Sequence, residues 1–275
     1  MKYQLAKPFL FLIAVILVVS LACSIGGSTE APVAPDEQPV AGEQPVALDE
    51  QPVEQAPVED AEPTAPPPPT NTPEPVAQQF FTETFDENSG NWSYFMVNGS
   101  LSTVTDGFGK NNVAIEGGRY VFKLEDKYQW AYVKYDPYEY ENVRVQIVAE
   151  NRGANNNNVS IICRYTPDVG WYEFNIANNG LYWIYYAEYR EQGTKVRYNY
   201  IINGGSNKIH TGKETNTYTA ICDGRTLSLE INGFETNSIE EKQYVLRQGS
   251  VGVAVSSFNV LPINVEIDEV TISEP

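Results

Sequence analysis

Histidine and cysteine are scarce in this chain, which limits the chemistry available to it. The one histidine, His210, lies in the polar stretch NKIHTGKE without a second histidine or a cysteine beside it. Zinc sites need several such ligands, so no metal site is predicted and His210 is interpreted as an exposed loop residue. The sequence also lacks a G-x-S-x-G nucleophile turn and a glycine-rich phosphate loop. No cofactor is therefore predicted.

Basic residues are also few. The sequence has 18 lysines and arginines against 36 aspartates and glutamates, which gives a net charge of −18. Residues 24–79 carry −11 of this charge and residues 1–23 carry +2, which leaves −9 for residues 80–275. An acidic folded region argues against nucleic acid as a partner and against charge-driven binding to anionic lipid.

Long apolar runs are absent except near the start of the chain. Two lysines precede an apolar run from about Phe9 to Leu21, which is shorter than the roughly 20 residues that a spanning helix needs, and Ala22-Cys23 follows. This order predicts a signal peptide over residues 1–23. A small residue before cysteine resembles the bacterial lipoprotein signal, which implies lipidation of Cys23 and anchoring to the outer face of the cell membrane. An uncleaved N-terminal anchor and plain secretion are the alternatives.

Residues 24–79 have no lysine or arginine and hold 13 of the 18 prolines together with 11 acidic residues. A degenerate DEQPVA unit repeats through the segment, with valine as almost its only bulky side chain. Proline removes backbone donors and like charges repel, so this composition cannot form a core. We predict a disordered linker that acts as a passive tether, with a binding role for the repeats as the alternative.

Residues 80–275 show almost no helical periodicity. Short alternating runs, separated by Gly, Asn and Asp, predict strands over 80–85, 113–115, 119–124, 131–135, 143–150, 159–165, 171–176, 181–186, 197–202, 218–222, 226–231, 250–255 and 263–272. The dipeptides Asn179-Gly180, Asp223-Gly224 and Asn232-Gly233 supply the positive φ angles of tight hairpins. The predicted fold is all-β, a jelly-roll β-sandwich of two antiparallel sheets preceded by the disordered linker.

The order of several pieces resembles a known group of domains. FTETFDENSGNW, GGRYVFKL, ICRYTPDVGWYEFNIANNGLYWIYY, TYTAICDGRTLSLEINGF, GSVGVAV and VEIDEVTI follow one another through residues 80–275. Together they resemble the concanavalin A-like (laminin-G-like) jelly rolls of exported bacterial proteins. That group includes the 3-keto-disaccharide hydrolase domain, which is related to the family 16 glycoside hydrolases. The resemblance implies the fold and says little about function.

The closing stretch NVEIDEVTISEP contains carboxylates that suggest a glycosidase. Retaining glycosidases use two carboxyl groups about 5–5.5 Å apart, and the related β-glucanases carry them on one strand as Glu, Asp and Glu. Glu266 and Asp268 fit the first two places, but Val270 and Thr271 occupy the positions of the second glutamate. Glu269 has odd spacing from Glu266, so a regular strand would turn it to the opposite face. The motif is incomplete, and no catalytic residue is predicted.

A structural calcium ion is an alternative use for some of these carboxylates. If the first and last strands pair, the oxygen ligands of Asp86, Glu87 and Asn88 could approach Asp268. An ordinary acidic turn is the favoured interpretation.

Three cysteines remain informative because of the predicted export. With Cys23 assigned to lipidation, Cys163 and Cys222 are an even pair in an oxidising compartment. We predict that they form a disulfide between two strands that lie side by side.

The aromatic content is high, with 18 tyrosines and 4 tryptophans. Alternation assigns one set to the core: Ala131, Val133, Tyr172, Phe174, Ile176, Tyr182, Ile184 and Tyr186. It turns a second set outward: Trp130, Tyr132, Trp171, Glu173, Asn175, Trp183 and Tyr185. Flat rings beside Asn and Glu can stack on sugars and bind their hydroxyls, so the candidate ligand-binding residues are Trp130, Tyr132, Trp171, Glu173, Trp183 and Tyr185. Ordinary aromatic packing in a sheet is the alternative.

These observations predict a non-catalytic, membrane-tethered extracytoplasmic domain that binds a glycan or mediates adhesion. A hydrolase-like enzyme acting on a disaccharide-type substrate is one alternative, which two converging carboxylates on a concave face would favour. A structural or protein-interaction module is the other, which a flat polar surface would favour.

Overall fold

The computed structural model describes residues 77–275, and every regular element in this part of the chain is a β-strand. All thirteen predicted strands are confirmed, several of them longer than predicted. The strands are β1 (Phe81–Glu83), β2 (Trp92–Asn98), β3 (Thr103–Thr105), β4 (Asn112–Ile115), β5 (Tyr120–Leu124), β6 (Gln129–Tyr140), β7 (Val143–Asn151), β8 (Asn157–Thr166), β9 (Gly170–Ala177), β10 (Leu181–Arg190), β11 (Lys195–Gly205), β12 (Thr215–Asp223), β13 (Thr226–Ile231), β14 (Phe234–Glu240), β15 (Gly249–Ser257) and β16 (Ile263–Ser273).

Three of these strands, β2, β3 and β14, are not predicted from the sequence. In β2 the consecutive residues Phe95, Met96 and Val97 are all buried. Met96 packs in the main core, whereas Phe95 and Val97 pack in a second cluster on the other side of the sheet. Because both faces of β2 are covered, it has no apolar–polar alternation to reveal it.

The strands form two antiparallel sheets, as predicted. The first, which we call the open sheet, has the order β14-β13-β12-β7-β16-β5-β4, with β1 also paired to β16. The second closes on itself in the order β10-β11-β3-β2-β6-β15-β8-β9, and we call it the barrel sheet. The two sheets pack face to face as a β-sandwich, and the closure of the second sheet is not foreseen by the sequence.

The main core lies between the two sheets. Strand β7 alternates regularly, with Val143, Val145, Ile147 and Ala149 buried and the residues between them partly exposed. Each valine or isoleucine of this set contributes roughly 1.5–3 kcal/mol when it is fully buried. The inward set predicted from alternation is confirmed, because all eight of its residues belong to this core: Ala131, Val133, Tyr172, Phe174, Ile176, Tyr182, Ile184 and Tyr186.

Tight turns occur where the Asx-Gly dipeptides predict them. Strands β13 and β14 pair at Ile231 and Phe234, which leaves Asn232 and Gly233 as a two-residue loop. Their φ angles of 51° and 78° are both positive, as the type I′ hairpin turn requires. Asn-Gly satisfies this requirement with little strain.

A disulfide links the two sheets. Cys163 of β8 is bonded to Cys222 of β12, so the predicted pairing is confirmed. The predicted arrangement of the strands is wrong, because β8 belongs to the barrel sheet and β12 to the open sheet. Both cysteines face the main core, and the bond therefore crosses the sandwich between Cα atoms 6.8 Å apart.

The chain enters the domain along β6. Three tyrosines at the C-terminal end of this strand donate hydrogen bonds to consecutive backbone carbonyls that precede β1: Tyr138 to Ala77 (3.1 Å), Tyr135 to Gln78 (2.7 Å) and Tyr140 to Gln79 (2.6 Å). The described residues thus begin three positions before the predicted start of the domain at residue 80. These bonds fix the entry point at one end of β6.

The predicted signal peptide, the lipidation site Cys23 and nearly all of the predicted linker lie outside the described residues. Within residues 77–275, no helix is long and apolar enough to cross a membrane.

Candidate functional site

The face of the barrel sheet that is turned away from the open sheet lines the interior of the barrel, and we call it the inner face. The hairpin formed by β10 and β11 curls over this face. At its tip, the Val104 amide donates to the Thr194 carbonyl and the Val196 amide donates to the Ser102 carbonyl, each at 2.9 Å. These bonds join β11 to β3 and close the sheet.

Closure buries part of the surface that the sequence predicts to be exposed. Tyr132, Trp171 and Glu173 are each 0% exposed, so their predicted exposure is wrong, although the face assigned to them is correct. Trp171 and Tyr132 belong instead to a second apolar cluster inside the barrel. Its buried members are Phe95, Val97, Tyr132, Ile162, Tyr165, Trp171, Ala187, Val196 and Ala254. A sugar cannot stack on these rings in this structure.

Glu173 is the centre of a buried hydrogen-bond network on the inner face. Its Oε2 accepts hydrogen bonds from the Tyr132 hydroxyl (2.8 Å) and the Trp171 indole N–H (3.1 Å). Its Oε1 accepts from the Ser160 hydroxyl (2.8 Å) and the Asn175 amide (3.0 Å). Four donors offset much of the cost of burying a carboxyl group that has no basic partner in the network.

The tyrosines of this network remain neutral. Tyr198 of β11 lies 2.7 Å from the Tyr132 hydroxyl. Burial raises the pKa of both hydroxyls well above their ordinary value of 10.0. Because the Tyr132 proton is donated to Glu173, the Tyr198 hydroxyl donates to the oxygen of Tyr132.

A cleft opens on the inner face where the barrel interior meets solvent. Its volume is about 220 Å³. Six asparagines, one alanine and two aromatic residues line it: Asn155, Asn156, Asn157, Asn158, Ala177, Asn178, Asn179, Trp183 and Phe258. The lining contains carboxamides and aromatic rings but no charged side chain, a composition suited to hydroxyl-rich neutral ligands.

The three other candidate residues, Trp130, Trp183 and Tyr185, are partly exposed. Trp183 lines the cleft directly. Trp130 and Tyr185 belong to a row of rings whose neighbouring centroids lie 5.1–6.2 Å apart. The row runs in the order Phe258, Trp130, Tyr198, Tyr185 and Tyr200. The six candidate residues are thus divided into three groups. Trp183 lines the cleft, Trp130 and Tyr185 lie in the aromatic row, and Tyr132, Trp171 and Glu173 are buried.

The asparagines of the cleft bind one another and the neighbouring backbone. Asn157 donates to Asn151 (3.0 Å) and to the Ala154 carbonyl (2.7 Å). Asn178 both donates to and accepts from the backbone of Gly212. Asn156 accepts from two backbone amides after β15. Such bonds hold the loop in one conformation before any ligand arrives.

Some polar groups at the cleft keep free hydrogen-bonding capacity. Among residues 77–275, no protein group pairs with Oδ1 of Asn158 or with Nδ2 of Asn156 and Asn179. Ser256 is the register partner of Asn158 on β15, and its buried hydroxyl also has no partner within the described chain. Sequence reasoning missed these residues, although the run of four asparagines at 155–158 was a visible signal.

The carboxylates of the closing strand lie elsewhere, on the outer face of the open sheet. Val265 and Ile267 point into the main core, so Glu266 points away from it. Arg119 binds Glu266 at 2.8 Å and Asp268 at 2.9 Å, and Arg152 binds Glu266 at 3.3 Å. The hydrogen bond to Glu266 raises the pKa of the Arg119 guanidinium. The arrangement is an ion-pair cluster on the face opposite to the cleft-bearing sheet.

A β-bulge corrects the predicted orientation of Glu269. The register of β16 against β7 shifts between Ile267 and Glu269. Ile267 and Val270 both lie in the core although three positions separate them. The extra residue returns Glu269 to the outer face, the same face as Glu266, and not to the opposite face expected of a regular strand.

Replacing Glu266 by glutamine tests the role of this cluster. We expect the free energy of unfolding to fall by no more than about 1 kcal/mol, since partly exposed ion pairs contribute little. Urea unfolding measures the change. A loss of several kcal/mol would contradict this assignment, and so would glycan hydrolysis that the substitution abolishes.

The structure also shows the positions of the residues considered for a calcium ion and of His210. Strand β1 pairs with β16, as that alternative requires, but the Asp268 carboxylate is bound by Arg119. Within the described residues, no group of three His, Cys, Asp or Glu side chains is arranged to hold a metal ion. His210 is exposed between β11 and β12.

Comparison with known proteins supports the fold. No protein-family model and no curated protein matches the sequence. The family 16 glycoside hydrolase endo-glucanase from Bacteroides ovatus, solved in complex with G4G3G-2F-DNP, superposes with a TM-score of 0.50 at 10% identity over 70% of this chain and 99% of that chain. The carbohydrate-binding module CBM66 from Bacillus subtilis gives 0.47 at 12% identity over 67% and 96%. The laminarinase catalytic domain from Thermotoga maritima gives 0.48 at 11% identity over 72% and 98%. At such identity the likeness shows the fold alone, and that fold is the concanavalin A-like jelly roll.

Proposed function

We propose that this domain binds a neutral glycan in the asparagine-lined cleft and does not hydrolyse it. One observation carries the proposal, namely a cleft of about 220 Å³ whose lining joins six carboxamides to Trp183 and Phe258 and includes no charged group. Carboxamides can both donate and accept, as sugar hydroxyls do. Aromatic faces supply the apolar contact that a sugar ring offers on its C–H side.

The free groups at the cleft support recognition of hydroxyls. The Oδ1 of Asn158 can accept a hydrogen bond, whereas Nδ2 of Asn156 and Nδ2 of Asn179 can donate. An anionic sugar would find no cation in the lining, and the domain's charge of −9 would repel it. Uncharged sugars therefore fit the site better than uronic acids or sulfated sugars.

The asparagine side chains of the cleft are already ordered in the free protein, and this order favours affinity for a glycan although the cleft is small. The hydrogen bonds within the asparagine loop order its side chains in the free protein. The glycan then does not have to immobilise these side chains on binding, a step that costs about 0.5–1.5 kcal/mol for each ordered side chain.

Glycan hydrolysis is the alternative function, and the positions of the carboxylates do not support it. Retaining and inverting glycosidases both place two carboxyl groups on either side of the scissile bond. No aspartate or glutamate lines the cleft. Glu173 lies behind it with every hydrogen-bonding neighbour a donor, and Glu266 belongs to the other sheet.

Tethering to the outer face of the cell membrane through Cys23 and the proline-rich linker is part of the same proposal. Strand β6 runs from Trp130, in the aromatic row, to Tyr140, which binds Gln79 where the chain enters the domain. The paired stretch of β15, from Ser256 to Gly249, covers the same length in seven residue steps, which span roughly 23 Å. The entry point and the cleft are thus at opposite ends of β6, an arrangement that suits a module for surface adhesion.

The Trp183→Ala variant tests the proposed site. Truncating a ring that stacks on a sugar removes about 1 kcal/mol or more, so we expect affinity to fall roughly fivefold or more. Binding is measured by affinity electrophoresis and calorimetry with laminarin, mixed-linkage β-glucan, inulin, dextran and chitohexaose. Release of reducing sugar is followed in parallel, and none is expected.

Two matched variants accompany this measurement. Trp183→Phe keeps an aromatic face and should lose less affinity than Trp183→Ala. Tyr94→Ala removes an exposed ring that stacks on Phe108, away from the cleft, and should leave binding unchanged. Equal affinity for all four proteins would remove the proposed site, and binding of none of the five glycans would count against the proposed function.

A further inference from the structure

Glu173 has a feature that burial alone does not explain. It is 0% exposed and its four hydrogen-bonding neighbours are neutral groups. A glutamine would fill the same volume without the cost of burying a charge. What the carboxylate alone provides is two oxygens that only accept hydrogen bonds, and this property fixes the direction of every bond around it.

Glu173 orients a chain of two side-chain amides that ends at the cleft. The first amide is that of Asn175 and the second is that of Asn158. The Asn175 amide lies 3.0 Å from Oε1 of Glu173, so its Nδ2 faces Glu173 and its Oδ1 faces strand β8. That Oδ1 accepts a hydrogen bond of 2.6 Å from Nδ2 of Asn158. Because Nδ2 of Asn158 is used in this bond, its Oδ1 is the polar atom that has no hydrogen-bond partner in the described part of the chain. Asn158 lines the cleft.

Ser160 supports the same arrangement. Its hydroxyl donates to Oε1 of Glu173 at 2.8 Å, so its oxygen is free to accept from Nδ2 of Asn175 at 2.9 Å. Nδ2 of Asn175 therefore has two acceptors. Turning the Asn175 amide over would bring its oxygen against Glu173 and its nitrogen against Nδ2 of Asn158, which loses three hydrogen bonds.

We propose that Glu173 is a positioning residue of the glycan site. It fixes the amide of Asn175 and, through it, the amide of Asn158, so that the cleft presents Oδ1 of Asn158 as an acceptor for a sugar hydroxyl. This inference rests on the proposed function for its ligand, whereas the orientation of the two amides does not depend on any ligand.

A double-mutant cycle tests the coupling. Asn158→Ala removes the acceptor, and affinity for the tightest binder among the five glycans should fall roughly three- to tenfold, as for one hydrogen bond. Glu173→Gln keeps the shape but lets the amides turn over, and a loss of similar size is expected. In the Asn158→Ala background, Glu173→Gln should change affinity by less than twofold, because the acceptor that it orients is already gone.

Additive losses in this cycle would overturn the inference, since a residue that only stabilises the fold would weaken binding in both backgrounds. Urea unfolding checks that each variant is folded. Should Glu173→Gln fail to fold, Ser160→Ala takes its place, because it removes one of the bonds that hold Asn175.

Exchange of the side-chain amide protons measured by NMR in the ligand-free protein separates this inference from the proposed function. The Nδ2 protons of Asn158 and Asn175 should exchange more slowly in the natural protein than in Glu173→Gln. Equal rates in both proteins would refute the positioning role whatever binds. Slowed exchange together with no binding to any of the five glycans would leave the orientation standing, and would remove the glycan site and with it the positioning role.

Discussion

Replacing both Cys163 and Cys222 by alanine is expected to lower the free energy of unfolding by about 4 kcal/mol. The bond joins residues 59 positions apart in sequence, and a closed loop of this length restricts the unfolded chain by about that amount in the chain-entropy estimate. Both cysteines are 0% exposed within the main core. Urea unfolding of the oxidised natural protein against the double variant measures the difference.

Reduction of the natural protein provides the matched control. After complete reduction under denaturing conditions, the refolded dithiol protein should be close in stability to the double variant, because it lacks the same cross-link. Two titratable thiols in the protein as purified without reductant would contradict the bond. A stability difference below 1 kcal/mol would instead mean that the sandwich already restricts this loop without help from the cross-link.

Much of the sandwich could be predicted because its main core follows a simple rule. In β7, β9 and β10, side chains alternate between the core and the opposite face, and the sequence carries this period directly. The Asx-Gly dipeptides mark hairpins because glycine readily adopts a positive φ, as Gly180, Gly224 and Gly233 do. The pairing of Cys163 with Cys222 was predicted because the assignment of Cys23 to lipidation left two cysteines in a compartment inferred to be oxidising.

The closure of the barrel sheet could not be predicted in this way. It depends on β3, a strand of three residues, which meets β11 at the single register pair of Thr103 and Lys195. The two residues are far apart in the chain, and neither strand has an apolar pattern that specifies the other as its partner. Alternation correctly separated the two faces of the barrel sheet, but it could not reveal that a hairpin covers one of them.

The candidate site was partly predicted for the same reason. Trp183 was identified from alternation and lines the cleft, whereas Trp171 and Glu173 share its face but lie under the covering hairpin. The asparagine network depends on contacts between the loop before β8, the turn after β9 and the segment around Gly212. Contacts between separate loops leave no periodic pattern in a sequence.

The different roles of the two tryptophans predict opposite effects on stability and binding. Trp171→Ala should lower the free energy of unfolding by about 3–5 kcal/mol, as for other large-to-small changes at fully buried aromatic residues. Its ring lies within 5.7 Å, centroid to centroid, of four other rings in the barrel, those of Phe95, Tyr132, Tyr165 and Tyr189. The substitution also leaves Glu173 without one of its four donors.

Trp183→Ala is the matched variant on the same face. Because the Trp183 ring is partly exposed at the cleft, its loss should cost the fold less than half as much as the loss of Trp171. Urea unfolding compares the stability of Trp171→Ala with that of Trp183→Ala, and glycan titration compares their affinities. Trp171→Ala should be strongly destabilised yet retain affinity in the fraction that stays folded, whereas Trp183→Ala should be well folded and bind weakly. A Trp171→Ala protein of natural stability would contradict the closed barrel, because only a ring on an open surface can be removed without leaving a cavity.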